Sequence, residues 1–141
     1  MKTILTLLLT LTTALAAEHA DVVVVTANPA GVAAAVAAAK SGAKVIVLEV
    51  SAHVGGIVAG GLTNTDIRKH GAVGGLYNEF KRRIVEHYTT TYGADSKQVK
   101  VCKGGNMFEP HIAEKVFRDK LVGGDEHRAA SAAASHLGAC D

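Results

Sequence analysis

At 141 residues the chain has room for one domain at most. Apolar residues make up 48% and aromatics 4%, with no Trp, so large core side chains are few and Ala and Gly must fill much of the interior. The formal charge of +2 is unclustered, which argues against a nucleic-acid partner, and no internal repeat points to a solenoid.

The first sixteen residues read as a secretory signal of the Sec type. Lys2 supplies the positive start, Ile4 to Leu11 the apolar stretch, and Ala14-Leu15-Ala16 a small-residue cleavage site. The stretch is too short to make a comfortable membrane span, so the expected destination is secreted or periplasmic, with no membrane span after cleavage.

Asp21 to Val25 is a short β-branched run, the pattern of a strand covered on both faces. Thr26 to Gly31 is a turn, and Gly31 to Lys40 a helix built almost wholly of Ala, Val and Gly. A helix with so little bulk lies close to a sheet, and its N-terminus offers N–H groups and a positive dipole end to a phosphate. Ser41-Gly42 ends it, Lys44 to Leu48 forms a second strand, and Glu49 stands at that strand's C-terminal end. A carboxylate there is placed to accept from the two hydroxyls of an adenosine ribose.

Laid on the turn, the dinucleotide fingerprint G-x-G-x-x-G falls on Thr26, Asn28 and Gly31. Gly31 is the glycine that permits close helix–strand packing. Thr26 replaces the tight-turn glycine and is poorly suited to positive φ, whereas Asn28 tolerates it better. Glu49 follows Gly31 by 18 residues, close to the ~20 of the ribose-binding acid. Glycine pairs follow at Gly55-Gly56 and Gly60-Gly61, where backbone can approach a phosphate-bearing ligand a second time.

Three blocks in this order, VVTANPAGVAAAVAAAKSGAKVIVLE, SAHVGGIVAGGLTNTD and FEPHIAEKVF, carry a family resemblance. The chain resembles the N-terminal part of secreted bacterial FAD-dependent oxidoreductases with a glutathione-reductase-like FAD-binding domain. The likeness spans roughly 100 residues, from about Asp21 to about Leu121. It implies that Asn28, Pro29, Ala30 and Gly31 border the FAD pyrophosphate. It further implies that Glu49 binds the adenosine ribose and that Gly55 and Gly56 line the pyrophosphate and ribityl side. Thr26 and Ala27 depart from the family's Gly-Gly and put the tightness of the turn in question.

Downstream, Leu62 to Gly75 is a loop, and the resemblance brings Thr65 and Asp66 toward the flavin ring. Leu76, Phe80, Ile84 and Tyr88 recur every four residues on an amphipathic helix, with Lys81-Arg82-Arg83 on its solvated face. Pro110 opens a further helix whose buried face is Ile112, Ala113, Val116, Phe117 and Leu121, with Glu114 and Arg118 paired outside. After Leu121 no strand candidate follows. Residues 123–141 read as an irregular tail whose Ala, His, Arg and Ser suggest an out-of-frame reading of GC-rich DNA. Cys102 and Cys140 are expected to stay unpaired, and the histidines show no metal-ligand spacing. His53 and His111 are the two inside family-like blocks.

The fold expected is α/β: an incomplete Rossmann-like (FAD/NAD(P)-binding) βαβ unit with additional helices, in residues 17–122. The function expected is that of the N-terminal fragment of an FAD-dependent oxidoreductase passing hydride between a small-molecule substrate and flavin, the fragment alone being inactive. No catalytic acid or base stands out. A non-catalytic secreted remnant with a βαβ shape and no cofactor is the rival. A nicotinamide-binding module is disfavoured, because Gly55-Gly56 has no purpose there.

Overall fold

The structure is a computed structural model that describes residues 19–122. The first sixteen residues, read above as a secretory signal, the tail from residue 123 and Cys140 lie outside the described residues.

Two parallel strands form the sheet, β1 (Val22–Val25) and β2 (Val45–Leu48), in the register Val22↔Val45 through Val25↔Leu48. The helix α1 (Pro29–Lys40) crosses between them and touches both. Asn28 starts it from an extended backbone, Pro29 fits the first position where no amide is needed, and Ser41 closes it. Its buried residues are Gly31, Val32, Ala35 and Val36, all small or β-branched, which lets the axis sit near the strands.

The strands are not equally covered. β2 buries Val45, Ile46 and Val47, as a two-sided strand should. β1 alternates: Val22 and Val24 pack into the core, while Val23 and Val25 stand 53% and 70% exposed. The unbroken β-branched run thus reports strand propensity more than burial, because among the described residues nothing lies over that side of β1.

The remaining elements form a helical layer. Gly56–Ala59 (α2) is a single turn, Leu76–Tyr92 (α3) is the long helix, and Lys97–Val101 (α4) is a short one. Pro110–Lys115 (α5) runs on as a π-helical segment, Val116–Val122, in place of the regular α-helix expected there. The widened segment touches both α1 and α3. Phe80, Ile84 and Tyr88 of α3 are buried as their spacing predicts. Phe80 meets Phe108 edge-on at 5.3 Å and stacks on Phe117 at 4.9 Å. Ile112, Ala113, Val116 and Phe117 complete the core. Tyr88 keeps its hydroxyl paired by accepting from the Glu109 N–H at 3.2 Å. Cys102 is a buried free thiol that donates to the Val99 carbonyl.

Candidate functional site

Between Val25 and Pro29 the chain must reverse within three residues. Thr26 makes the reversal at φ +84°, left-handed backbone that a β-branched side chain rarely adopts. This is the strain expected where Thr replaces a glycine. The Thr26 N–H donates to the Leu48 carbonyl at 2.7 Å, and the hydroxyl donates to Glu49 Oε2 at 3.3 Å.

Asn28 does not use the tolerance of positive φ that the fingerprint suggests. Its backbone is extended (φ −69°, ψ 174°) and its Oδ1 accepts from the Gly31 N–H at 2.9 Å. Capping a helix start requires that geometry, and Asn is among the best residues for it. The Val32 N–H goes to the Asn28 carbonyl at 2.9 Å. Among the described residues no acceptor takes the Ala30 N–H, and Ala30 is exposed. Gly31 holds the role read for it. A Cβ there would overlap the Thr26 carbonyl oxygen and press on Val24. Only glycine allows α1 to start this close to β1.

Glu49 lies at the end of β2, and its carboxylate folds back over the turn. Oε2 accepts from the Ala27 N–H at 2.6 Å as well as from Thr26, and Oε1 accepts from the Ser51 N–H at 3.0 Å and its hydroxyl at 3.1 Å. The Ala27 N–H, followed by the Ser51 N–H, holds the carboxyl below the usual carboxylate range. Parallel pairing sets this contact: with Val25 opposite Leu48, the residues just past each strand end are neighbours.

The glycine pair joins the same place. The Gly55 N–H donates to the Ala27 carbonyl at 2.7 Å, so Ala27 is held from both sides. Gly55 has φ +107°, and a Cβ on it would run into the Phe117 ring. One on Gly56 would stand 3.0 Å from the Asn28 Cβ. Asn28, Gly31, Glu49, Gly55 and Gly56 therefore converge on one turn, with Pro29 and Ala30 at its helix start.

A second set of contacts locks the loop before Gly55. Glu114 on α5 accepts from the Val54 N–H at 3.3 Å, pairs with His53 Nδ1 at 3.2 Å, and takes Arg118 at 2.8 Å. Arg118 also donates to the Ala52 carbonyl at 2.8 Å. The Arg118 guanidinium, with smaller help from His53 and the Val54 N–H, lowers the Glu114 carboxyl below its usual range. The Glu114–Arg118 pair expected from spacing is present, but it faces the 52–54 loop instead of open solvent. His53 acts in this clamp, and His111 is exposed.

Thr65 reaches Tyr77 at 2.7 Å, and Tyr77 donates to Asn106 Oδ1 at 2.9 Å. Thr65 and Tyr77 line an apolar cavity of about 190 Å³ that also meets Pro29, Val58 and Phe117. Asp66 is exposed. A larger hollow of about 440 Å³, bounded by Tyr88, Val101, Cys102 and Phe108, touches none of the turn residues. Among the described residues no cluster of three His, Cys, Asp or Glu is set to hold a metal, and no helix is long and apolar enough to cross a membrane.

Ala27 and Ser51, central to the carboxylate, carry no mark in the sequence. Their part is played by backbone N–H groups and one small hydroxyl; the strand register brings Ala27 to Glu49, and Ser51 reaches it from two residues along the chain.

A family model described as FAD dependent oxidoreductase matches residues 21–137. A search among curated proteins gives no match.

Proposed function

The chain belongs to the FAD-dependent oxidoreductase family, whose cofactor is FAD, and from that premise we propose how its own residues serve the cofactor. Asn28, Pro29, Ala30 and Gly31 border the pyrophosphate, Glu49 takes the adenosine ribose, and Gly55 and Gly56 line the pyrophosphate and ribityl side. The observation that carries this reading is the convergence on Ala27. Glu49 holds its N–H and Gly55 its carbonyl acceptor, so the acid, the helix start and the glycine pair form one unit.

The donor set suits a phosphate-bearing dinucleotide. The Ala30 N–H and the N-terminal end of α1 supply positive potential, and the side-chain cap on Gly31 can yield a further amide. Glu49, held ionised, accepts from hydroxyls and not from phosphate, which fixes which end of the ligand it meets. When bound, FAD supplies two-electron redox chemistry, taking hydride from a small-molecule substrate. The protein's share is to hold, orient and shield it. The apolar cavity between Pro29 and Tyr77 extends this surface from the phosphate turn toward Thr65.

Titrating the chain with FAD and with FMN tests the reading, because FMN lacks the adenosine ribose. FAD is expected to bind saturably, seen as quenched flavin fluorescence, and FMN at least about tenfold more weakly. Glu49→Ala should weaken FAD and leave FMN unchanged, a charged hydrogen bond being worth roughly 1.5–3 kcal/mol. The rival, a secreted remnant without cofactor, requires that neither flavin binds.

A further inference from the structure

The four bonds to Glu49 are unequal in kind, and this bears on how a ligand gains the carboxylate. A carboxylate offers about four lone-pair sites, and the chain itself fills four. Two are taken by backbone amides, Ala27 and Ser51, which the strand ends and the loop hold in place. The other two are taken by hydroxyls on exposed residues, Thr26 on Oε2 and Ser51 on Oε1, one per oxygen. A vicinal diol presents the same chemistry: two O–H donors, one for each oxygen.

We propose that the Thr26 and Ser51 hydroxyls are stand-ins for a ribose diol, and that a diol ligand binds Glu49 by exchanging with them while both amides stay. The proposal rests on Glu49 being the ribose acceptor. The two exchanges differ in cost. The Ser51 hydroxyl has a second acceptor, the His53 carbonyl, at the same 3.1 Å, so its proton turns from Glu49 without loss. Thr26 has no such alternative among its contacts, and its bond to Glu49 ties down a residue held at φ +84°. Thr26 is therefore the residue that sets the affinity for the diol, acting through Glu49. It stands where the fingerprint has glycine, which offers no hydroxyl to compete.

Calorimetric titration of the full chain with ADP, and with 2′,3′-dideoxy-ADP as a ligand lacking the diol, tests this. Thr26→Val removes the hydroxyl and keeps the β-branched shape. Thr26→Ser keeps the hydroxyl and removes the methyl. Thr26→Val is expected to tighten ADP about three- to tenfold, the size of one ordinary hydrogen bond, and to leave the dideoxy ligand unchanged. Thr26→Ser should match the wild type, and Ser51→Ala should stay within about twofold. Glu49→Gln separates the two readings. If it weakens ADP while Thr26→Val brings no gain, or yields no folded protein by circular dichroism, the exchange is wrong and the ribose acceptor stands. If Thr26→Ser gains as much as Thr26→Val, relief of strain and not hydroxyl exchange is responsible. If Glu49→Gln leaves ADP affinity unchanged, or ADP binds none of these proteins, both readings fall.

Discussion

The dinucleotide turn and the helical layer are held together by opposite means. Around Phe80 the chain relies on buried apolar contact: Ile84 is fully buried, and Phe108 and Phe117 flank the ring. Around Ala27, beside the buried Phe117 ring that lies against Gly55, order comes from short polar contacts to one carboxylate, one cap and two backbone carbonyls. Apolar packing tolerates small displacements of any one contact, whereas a hydrogen-bonded turn depends on each donor finding its acceptor. The layer supplies stability, and the turn supplies a defined arrangement of donors and acceptors that a ligand can use.

The contrast breaks first at Phe80. Phe80→Ala should cost about 3–5 kcal/mol by urea unfolding, since it removes a ring stacked on one aromatic and edge-on to another. Val25→Thr, on the open side of β1 at 70% exposure, should stay within about 0.5 kcal/mol. Comparable losses at the two positions would mean that the open side of the sheet contributes as much to stability as the helical layer.

A methyl group tests the turn. Gly31→Ala drives a Cβ onto the Thr26 carbonyl oxygen, so the start of α1 must move away from β1. The expected cost is about 1–3 kcal/mol, as for overpacking elsewhere. The amide resonances of Ala27 and Gly31 should shift while those of Ile84 and Tyr88 stay. Shifts spread evenly over both regions would show that the turn is not an independent unit.

Acid sharpens the comparison with the smallest effect. Glu49, Glu114 and Glu79 all have folded-state pKa values below the ordinary 4.5, Glu79 at about 2 through its bonds to Arg82 and then Arg83. Lowered values mean that the folded state holds fewer protons, so their contribution is complete above pH 4.5 and is lost as pH falls through the folded values. Stability should be level from pH 7 to 5 and decline below 4.5. The groups are partly exposed, so each contributes under about 1 kcal/mol. In Glu49→Gln the decline should be shallower and the amide shifts of Ala27 and Ser51 should no longer follow pH. A titration of those amides unaltered by the substitution would point to another group.

Much of this division is legible in the sequence. The βαβ order, the close-packing role of Gly31, the four-residue stripe from Leu76 to Tyr88 and the start at Pro110 all follow from spacing and residue type. The short helices Gly56–Ala59 and Lys97–Val101 do not, since four or five residues are too few to show a period. The polar contacts are hidden for a different reason. Glu49 to Ala27, Glu114 to Val54 and Thr65 to Asn106 join residues 22, 60 and 41 apart, and no local pattern encodes which distant amide a carboxylate meets. By residue type Asn28 suits both positive φ and a helix cap, and the proline after it, which favours an extended residue before it, decides for the cap.

The clamp at Glu114 also fixes an order of events during synthesis. Glu114 and Arg118 bind Ala52, His53 and Val54 across 60 to 66 residues, while the contacts between β1, α1 and β2 close over 23 or so. The strand–helix–strand unit can therefore assemble while the chain is still being made, but the loop leading to Gly55 waits until residue 118 has left the ribosome. At ~5–20 residues per second, that delay lasts several seconds. During this interval the glycine pair is tied to the turn through Ala27 and its approach to Asn28, so a later-made helix decides when an earlier-made turn is finished.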